Sequence, residues 1–326
     1  MEAELLYKNI LKLSFQTGVP VKKILDFLFV LKNGEKIENE ELIKKLGLSK
    51  NILNYIKKNL YYLLTPTSET TQISKDKLVL VQKLFKENIS NEENLLADLE
   101  GSDYKNILEI LEKNKKYRLK PLRKYDQFTA DLPTVAKRVS LMNFFSDIKG
   151  KRILFLGDDD FTSMACAMFG SAGNIQILDI DGRILNSIKN VSRQNKLEIQ
   201  LEKYDAKFDL AKKYKKRFDI VFTDPPYTEN GVNLFLSRSI QALNPNNLSA
   251  RIYLCFGGSD RAKERFLPIY KIIYESGLML RWVFDKFNRY RGASEIGNTS
   301  SLFLLDITPK TKALIESDYN EPIYTI

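Results

Sequence analysis

Acidic side chains follow four successive segments of the chain that are typical of β-strands. These segments are apolar and are separated by helix-like stretches, which predicts parallel strands whose carboxyl ends share one edge of a sheet. A single aspartate at a strand end usually caps a helix or begins a turn. Four strand ends in series instead favour a nucleoside site. The carboxylates are Asp158–Asp160, Asp179 and Asp181, Asp205, and Asp224.

The spacing of two of these residues is typical of a nucleoside-binding site. Asp179 and Asp181 follow Gly157, which ends the first strand, by 22 and 24 residues. An acid near this spacing binds ribose hydroxyls in dinucleotide folds. Asp205 ends the third strand, where we expect it to contact adenine. The predicted nucleoside site therefore comprises Gly157, Asp179, Asp181 and Asp205.

The segment TDPPY, Thr223 to Tyr227, predicts the chemistry of an attacked amine. It resembles the loop of methyltransferases that modify exocyclic amino groups. The Asp224 carboxylate and the Pro225 carbonyl can accept N–H bonds and orient the nitrogen lone pair at an electrophilic carbon. Tyr227 offers a face for a flat base or a cation. The motif favours alkyl transfer from a sulfonium to nitrogen, although a Pro-Pro turn after a strand is the alternative.

The loop in ILFLGDDDFTSMA carries carboxylates where nucleotide-binding folds have small residues and open backbone N–H groups. Asp158, Asp159 and Asp160 would repel the carboxylate of S-adenosylmethionine. They would attract a decarboxylated donor, which ends in an ammonium group. Two cations that meet in a buried site need carboxylates nearby to offset their repulsion. The loop therefore favours a polyamine acceptor over a nucleic acid.

Composition narrows the class of protein further. The chain has 326 residues, a net charge of +10, two cysteines (Cys166 and Cys255) and no histidine. The absence of histidine excludes Ser-His triads and His-metal centres, and we expect no metal site. No apolar run is long enough to span a membrane, and the N-terminal segment lacks the features of a signal peptide. A cytoplasmic protein is expected.

The chain is predicted to divide into three parts: residues 1–75, a helical linker over 76–125, and residues 126–326. The last part alternates strands and helices and closes with two strands, SSLFLLDI being antiparallel. This predicts an α/β fold with a Rossmann-like, seven-stranded transferase sheet. Two further helices are expected over 79–116, interrupted by NISNEEN, and the basic run Lys113–Lys124 is expected to be a solvated linker.

The first part has the order of a winged-helix domain, namely three helices and a small β-wing. Ser49 is the predicted N-cap of the third helix. Winged helices either read DNA or act as dimerisation modules. Since the positive charge is spread rather than concentrated, nucleic acid is not the expected partner. The apolar surface in ILDFLFVL and ILNYIKKNLYYLL exceeds what a three-helix core needs, and it favours a homodimer.

The combined motifs resemble those of the branched-chain polyamine synthases, the N(4)-bis(aminopropyl)spermidine synthases of thermophiles. The resemblance implies an aminopropyltransferase with decarboxylated S-adenosylmethionine as co-substrate and no cofactor. Spermidine would receive two aminopropyl groups on its central nitrogen, and methylthioadenosine would leave. One departure is Gly182, where the family more often has Glu. The motifs are YDQ (Tyr125–Gln127), LGDDD (Leu156–Asp160), LDIDGR (Leu178–Arg183), TDPPYTENG (Thr223–Gly231) and FNRY (Phe287–Tyr290).

The resemblance also implies roles for single residues. Asp159 is the expected catalytic carboxylate, which attracts the acceptor amine and removes its proton. Asp158 and Asp160 would bind ammonium groups of the substrates. Asp224, Pro225 and Tyr227 would position the attacked nitrogen. The C-terminal segment IESDYNEPIYTI is expected to be a mobile terminus, with closure over a cationic substrate as the alternative.

Two other functions stay open from the sequence. One is an amino-group methyltransferase that uses S-adenosylmethionine to modify DNA or RNA. The other is a transcription regulator whose α/β domain senses a polyamine or nucleoside without turnover.

Overall fold

The computed structural model describes residues 2–85, 99, 101–170, 172–257, 263–291 and 298–325. Their contacts divide them into two compact units. The first unit contains the described residues of Met1–Asp98 with Phe144–Ser146. The second contains those of Leu99–Asn143 and Asp147–Ile326. The three-part division predicted from the sequence stays a prediction.

The first unit is built mainly of helices around one apolar core. Ser49 caps its fourth helix, as predicted, because its hydroxyl accepts a hydrogen bond from the Ile52 N–H at 3.3 Å. In the segment predicted as a β-wing, Thr70–Thr71 pairs with Ile37–Glu38 and Leu64 forms a bridge with Ile73. The winged-helix assignment stays a prediction. The elements are α1 (Glu2–Thr17), α2 (Val21–Leu31), β1 (Ile37–Glu38), α3 (Asn39–Leu46), α4 (Lys50–Asn59), β2 (Thr70–Thr71) and α5 (Leu78–Gln82).

Helix α1 changes the interpretation of the apolar segment ILDFLFVL. The side chains of Ile24, Phe27 and Leu28 in α2 are fully buried, and α1 packs against α2. Of the apolar surface that the sequence assigns to an interface, the ILDFLFVL part is therefore buried in the unit's own core, while Tyr55 and Tyr61 of ILNYIKKNLYYLL are exposed. Other side chains of this unit are exposed, including Tyr61 at 73% and Leu5 at 61%.

The second unit is a sheet covered by helices. Among the described residues, seven strands pair in the order β5-β4-β3-β6-β7-β9-β8. β9 is antiparallel to both of its neighbours, as the sequence predicts for the closing strand. The elements are α6 (Ser102–Asn114), α7 (Leu132–Phe144), β3 (Arg152–Leu156), α8 (Thr162–Phe169), β4 (Asn174–Asp179), α9 (Gly182–Gln194), β5 (Ile199–Lys203), β6 (Ile220–Thr223), α10 (Glu229–Ala242), β7 (Arg251–Phe256), α11 (Phe266–Glu275), β8 (Met279–Arg289) and β9 (Thr299–Asp306).

The strand order explains where a site can form. β3 pairs with β4 on one side and with β6 on the other, all three parallel. The connections after β3 and β6 therefore lead in opposite directions and leave a crevice at the carboxyl ends of the strands. The GDDD loop follows β3 and the DPPY loop follows β6, so both motifs lie at this crevice.

Strand β8 differs in length from the strand that the sequence predicts. β8 is longer than LMLRWVF predicts and continues to Arg289, with an irregular register between Phe284 and Asn288. This extension brings the FNRY motif onto the sheet. The expected break NISNEEN lies outside the described residues, while α5 and α6 are observed on either side of it. No helix of the described ranges is both long and apolar enough to cross a membrane.

Candidate functional site

A cavity of about 330 Å³ opens at the carboxyl ends of the strands, within the second unit. Seven of the ten residues predicted for the site line it: Gly157, Asp159, Asp179, Asp205, Asp224, Pro225 and Tyr227. The wall is completed by aromatic and apolar side chains and by the C-terminal segment. These further residues include Tyr125, Phe128, Tyr204, Phe235, Tyr290, Ile323 and Tyr324.

The backbone of the GDDD loop turns sharply. Gly157 has a φ of +78° and Phe161 has a φ of +62°, so left-handed residues bracket the three aspartates. Glycine adopts this conformation freely, whereas a side chain such as that of Phe161 does so at a cost of about 1 kcal/mol or more. Phe161 is fully buried, and its packing offsets that cost. The turn points the three consecutive aspartates in three different directions.

Asp158 is committed to the start of helix α8. Its carboxylate accepts hydrogen bonds from the Ser163 N–H at 3.1 Å and from the Ser163 hydroxyl. Burial raises the pKa of Asp158 to about 8, with Asp160 and Asp179 adding to the effect. Asp158 does not line the cavity, so this geometry favours a structural role over the ammonium-binding role that the sequence predicts.

Asp160 also points away from the cavity. Its Oδ1 accepts a hydrogen bond from the Ala130 N–H at 2.5 Å and its Oδ2 accepts one from Arg138 Nη1 at 2.8 Å. Arg118 Nη2 lies 3.4 Å from Oδ1. Because Arg118 is only 11% exposed, the prediction that Lys113–Lys124 is a solvated linker is wrong at this residue. Its charge is held by the loop instead.

Asp159 is the aspartate of the three that lines the cavity. Its Oδ2 atom is buried and has no hydrogen-bond partner among the described residues. Burial raises the pKa of Asp159 well above its usual value, and the charges of Asp160 and Asp224 raise it further. A buried carboxylate without a partner is costly. It is satisfied by a ligand that brings an N–H donor or a positive charge.

The DPPY loop presents a fully hydrogen-bonded carboxylate. Asp224 Oδ1 accepts a bond from the Tyr227 hydroxyl at 2.9 Å. Asp224 Oδ2 accepts bonds from the Tyr290 hydroxyl at 2.7 Å and from Arg138 Nη2 at 2.8 Å. Burial raises the pKa of Asp224, while Arg138 opposes the rise. Asp224 and Asp159 thus lie in one cavity with opposite degrees of hydrogen bonding.

Arg138, on helix α7, connects the motifs of the site. It is 1% exposed and donates to Asp160, Asp224 and the Tyr290 hydroxyl. Its Nε donates to Asn288 Oδ1 at 2.8 Å. The GDDD, DPPY and FNRY motifs are therefore bonded to one guanidinium. Arg138 lies outside every motif in the sequence, and no spacing signal could identify it.

On the side of the site predicted to bind the nucleoside, backbone N–H groups hold the Asp179 carboxylate in place. Asp179 accepts bonds from the Asp158 N–H at 2.9 Å and the Asp181 N–H at 2.7 Å, and burial raises its pKa to about 6. Asp181 caps helix α9 and pairs with Arg183 at 2.6 Å, and it does not line the cavity. Gln127 of the YDQ motif donates to Asp181 at 3.3 Å. Asp205 lines the cavity and accepts a bond from the Lys207 N–H.

The C-terminal segment is not a mobile terminus, so that expectation was wrong. Arg238 is fully buried and donates to the Ser317 carbonyl at 2.7 Å. The Thr228 hydroxyl donates to the Ile323 carbonyl at 2.7 Å, and Thr325 donates to both carboxylate oxygens of Asp126. These bonds fasten the segment to helix α10 and to the YDQ motif. Its last residues form part of the cavity wall.

The cavity lining is rich in carboxyl groups. Its described lining includes the carboxylates Asp126, Asp159, Asp179, Asp205 and Asp224, against one guanidinium, that of Arg265. Such a cavity in a chain of net charge +10 attracts cations and repels anions. Within the described residues, no group of three or more acidic or cysteine side chains has an arrangement suited to a metal ion.

The strand order and the crevice between β3 and β6 define the class of the second unit, a Rossmann-like α/β fold of the kind found in methyltransferases. The model of one family, the branched-chain polyamine synthase A C-terminal domain, matches residues 106–323. The chain belongs to this branched-chain polyamine synthase family. The match covers the cavity lining up to Ile323 and also Arg138.

Curated relatives match more than half of the chain. An uncharacterized protein of Methanocaldococcus jannaschii is 38% identical over 200 residues, which is 61% of this chain and 49% of the relative. The N(4)-bis(aminopropyl)spermidine synthase of the same organism is 32% identical over 195 residues, 58% of this chain and 55% of the relative. The chain thus spans about half the length of these curated relatives.

Solved structures share the fold. The branched-chain polyamine synthase C9 mutein from Thermus thermophilus was solved in complex with N4-aminopropylspermidine and 5'-methylthioadenosine. It aligns with a TM-score of 0.63 at 20% identity, over 99% of this chain and 98% of that chain. A protein from Pyrococcus horikoshii, proposed to be an RNA methyltransferase, aligns with a TM-score of 0.51 at 16% identity. The alignment covers 64% of this chain and all of that chain.

Proposed function

We propose that the protein transfers aminopropyl groups from decarboxylated S-adenosylmethionine to the central secondary amine of spermidine. The products would be methylthioadenosine and, after two transfers, N(4)-bis(aminopropyl)spermidine. Family membership and the names of the relatives support this reaction. The acidic lining of the cavity supports it independently, because donor and acceptor are both cations.

The observation that carries the proposal is the contrast between Asp159 and Asp224. Both line the cavity, yet Asp159 Oδ2 has no hydrogen-bond partner in the part of the chain that the structure describes, whereas Asp224 accepts three hydrogen bonds. Two carboxylates in different environments can take different parts in one reaction. Asp159 would accept a proton, and Asp224 would orient the amine without changing its own charge.

The nucleoside would occupy the side of the cavity formed by Gly157, Asp179 and Asp205. The ribose hydroxyls would donate to Asp179, whose carboxylate is already fixed by two backbone N–H groups. The aminopropyl end would then point toward Asp159. Asp181 would act indirectly, since it does not line the cavity but pairs with Arg183 and accepts a hydrogen bond from Gln127, which does.

The acceptor would occupy the side formed by Asp224, Pro225 and Tyr227. A secondary amine of spermidine is protonated at neutral pH and must lose a proton before it can attack. Burial and the neighbouring carboxylates raise the pKa of Asp159. The positive charges of the bound substrates would favour its ionised form, and Asp159 would then take that proton. Asp160 would contribute negative charge from behind, where Arg138 holds its carboxylate. Asp158, whose pKa is raised to about 8, would instead fix the loop through Ser163.

The transfer itself would be a nucleophilic displacement at the carbon of the aminopropyl group that is attached to sulfur. The nitrogen lone pair forms the new C–N bond as the C–S bond breaks. The electron pair of that bond returns to sulfur, so the sulfonium becomes the neutral thioether of methylthioadenosine. At the first transfer the nitrogen then carries one proton more than a neutral tertiary amine, and this proton leaves before the second attack.

The test is incubation of the full chain with spermidine and each of the two sulfonium donors, followed by mass spectrometry. We expect one and then two aminopropyl additions with the decarboxylated donor, and no product with S-adenosylmethionine, whose carboxylate the acidic cavity repels. The variant Asp76→Asn, at an exposed position of the first unit, is the control for unspecific effects of lost charge.

Other products would identify the other candidates. A methylated DNA or RNA oligonucleotide formed with S-adenosylmethionine would replace the proposal by an amino-group methyltransferase. Equal affinity for both donors in calorimetry would remove the electrostatic argument for the decarboxylated one.

A further inference from the structure

Arg138 differs from the predicted site residues because it neither lines the cavity nor belongs to a motif. Every nitrogen of its guanidinium has an acceptor. Nε donates to Asn288, Nη1 donates to Asp160, and Nη2 donates to Asp224 and to the Tyr290 hydroxyl. The planar face lies 5.2 Å from the centre of the Phe222 ring. With a hydrogen-bond acceptor at each of its nitrogens, the Arg138 guanidinium is fixed in one conformation.

The partners of Arg138 are the immediate neighbours of the reacting groups. Asp160 follows Asp159 in the chain, and Asp224 precedes Pro225. Asp224 Oδ2 is bonded to Arg138 and Tyr290, which leaves its Oδ1, bonded to Tyr227, as the oxygen turned toward a ligand. The guanidinium also balances one of the two carboxylate charges that it contacts. Without it, Asp160 and Asp224 would repel each other and Asp159.

We propose that Arg138 is a positioning residue for the transfer. By holding Asp160 and Asp224 it directs Asp224 at the attacked amine and leaves Asp159 as the carboxylate that takes the proton. The proposal rests on the proposed function. It predicts a specific kinetic signature, because loss of the guanidinium removes order from the site but does not remove negative charge from it.

The test compares Arg138→Met and Arg138→Lys with the unaltered full chain. In Arg138→Met we expect kcat to fall by about 10²-fold, the usual cost of misplacing a reacting group by about 1 Å. We expect the KM for spermidine to rise by no more than about threefold, since the freed carboxylates still attract the triamine. Affinity for methylthioadenosine, measured by calorimetry, should also change less than about threefold. Arg138→Lys keeps the charge but not the fork, and its kcat should lie between the two.

Arg251 offers a matched control. It is 3% exposed and pairs with Asp147 at 2.9 Å and Asp306 at 2.7 Å. It is the first residue of β7, at the end of that strand away from the cavity. Arg251→Met therefore breaks a buried network of similar composition. We expect lower thermal stability and an unchanged kcat at a temperature where the variant is folded.

Several results would overturn the proposal. A kcat within about threefold of the unaltered chain in Arg138→Met would do so, because misplacement normally costs far more. So would a parallel loss of methylthioadenosine affinity or an equal loss of kcat in Arg251→Met, since either indicates only a structural role. If Arg138→Met does not fold, Arg138→Lys decides: reduced kcat with retained nucleoside affinity supports the proposal, and unchanged kcat contradicts it. Absence of turnover in the unaltered chain would instead remove the proposed function and the proposal together.

Discussion

Three adjacent aspartates of one loop occupy three different environments. Asp158 caps a helix through Ser163, Asp160 is bonded to Arg138 and to the backbone, and Asp159 faces the cavity. The three residues are all aspartates, so the difference in their chemical behaviour arises from their hydrogen-bond partners. A charge on Asp159 is available to a ligand, whereas the other two carboxylates are already occupied.

Replacement of Asp159 by asparagine tests its proposed role as proton acceptor. Asp159→Asn preserves size and removes the charge. We expect turnover to fall by about 10²–10⁴-fold, the range of a lost general base. Methylthioadenosine affinity should be nearly unchanged, because Asp179 and Asp205 would hold the nucleoside. Single-turnover kinetics and calorimetry measure the two effects, with Asp76→Asn as the control. Retained turnover would move the role to Asp224 or to the neighbouring aspartates.

Asp158 should make stability depend on pH. Its pKa is raised to about 8, while an unfolded aspartate titrates near 4. Between these values the folded state holds a proton that the unfolded state has lost, so stability falls as pH rises toward 8. Asp158→Asn cannot ionise. Its stability relative to the unaltered chain should therefore increase from pH 5 to pH 8 in urea denaturation.

The control for this titration is Asp219, whose pKa is lowered through its bonds to Arg152. Asp219→Asn should destabilise the protein by a similar amount at pH 5 and pH 8, because the carboxylate is ionised in both folded and unfolded states across this range. A flat difference in Asp158→Asn would show that the Asp158 carboxyl is ionised well below pH 8.

At the scale of elements, the site depends on the connections that follow β3 and β6 and on segments distant from them. The bridge between Ala130 and Tyr290 ties the chain before α7 to the end of β8, and Thr134 at the start of α7 accepts a bond from the Arg289 N–H. These contacts orient the helix that carries Arg138. The C-terminal segment adds a wall that the sheet alone does not provide.

Removal of residues 317–326 tests the contribution of that wall. The deletion removes Ile323, Tyr324 and Thr325 from the cavity lining. We expect methylthioadenosine affinity to fall by roughly tenfold or more, as the loss of one buried aromatic contact implies. Circular dichroism should show the sheet and helices intact. Unchanged affinity in a folded deletion variant would mean that the nucleoside does not contact this segment.

At the scale of the whole molecule, a basic protein encloses an acidic cavity. Lysine and arginine number 51 against 41 aspartates and glutamates, yet five aspartates and one arginine are found in the described lining. The net charge of the chain therefore does not indicate the charge of the ligand that the cavity binds. Nucleic acid is not the partner that the cavity favours, and any duplex binding by the first unit should be weak and fall steeply with salt.

We propose a homodimer that uses the first unit, as the sequence predicts, through the second of the two apolar segments, ILNYIKKNLYYLL. The apolar side chains of α2 are buried, whereas Tyr55 and Tyr61 are 46% and 73% exposed. Sedimentation should show a dimer that the double variant Tyr55→Ser, Tyr61→Ser converts to monomer. The control is Tyr274→Ser, which removes an 83% exposed aromatic from the second unit. Dissociation by the control alone would place the interface on the second unit.

Much of the fold follows from local sequence pattern. The strands of the large sheet are short apolar runs bounded by turn residues, and their alternation with helices predicts a parallel sheet with ligands at its carboxyl edge. The positions of GDDD and DPPY at that edge follow directly, and seven of the ten predicted residues line the cavity. Helix α1 was missed, so the purpose of the apolar residues in α2 was misjudged.

The direction of each side chain in the site was decided by the tertiary structure alone. Within the GDDD loop, left-handed turns at Gly157 and Phe161 determine which carboxylate meets the ligand, together with partners as near as Ser163 and as distant as Arg138. Arg138 and the C-terminal segment reach the site from outside every motif. Local sequence determines strands because each residue's conformation depends on its neighbours. Hydrogen-bond partners for buried charges are chosen in space, and only the folded chain brings them together.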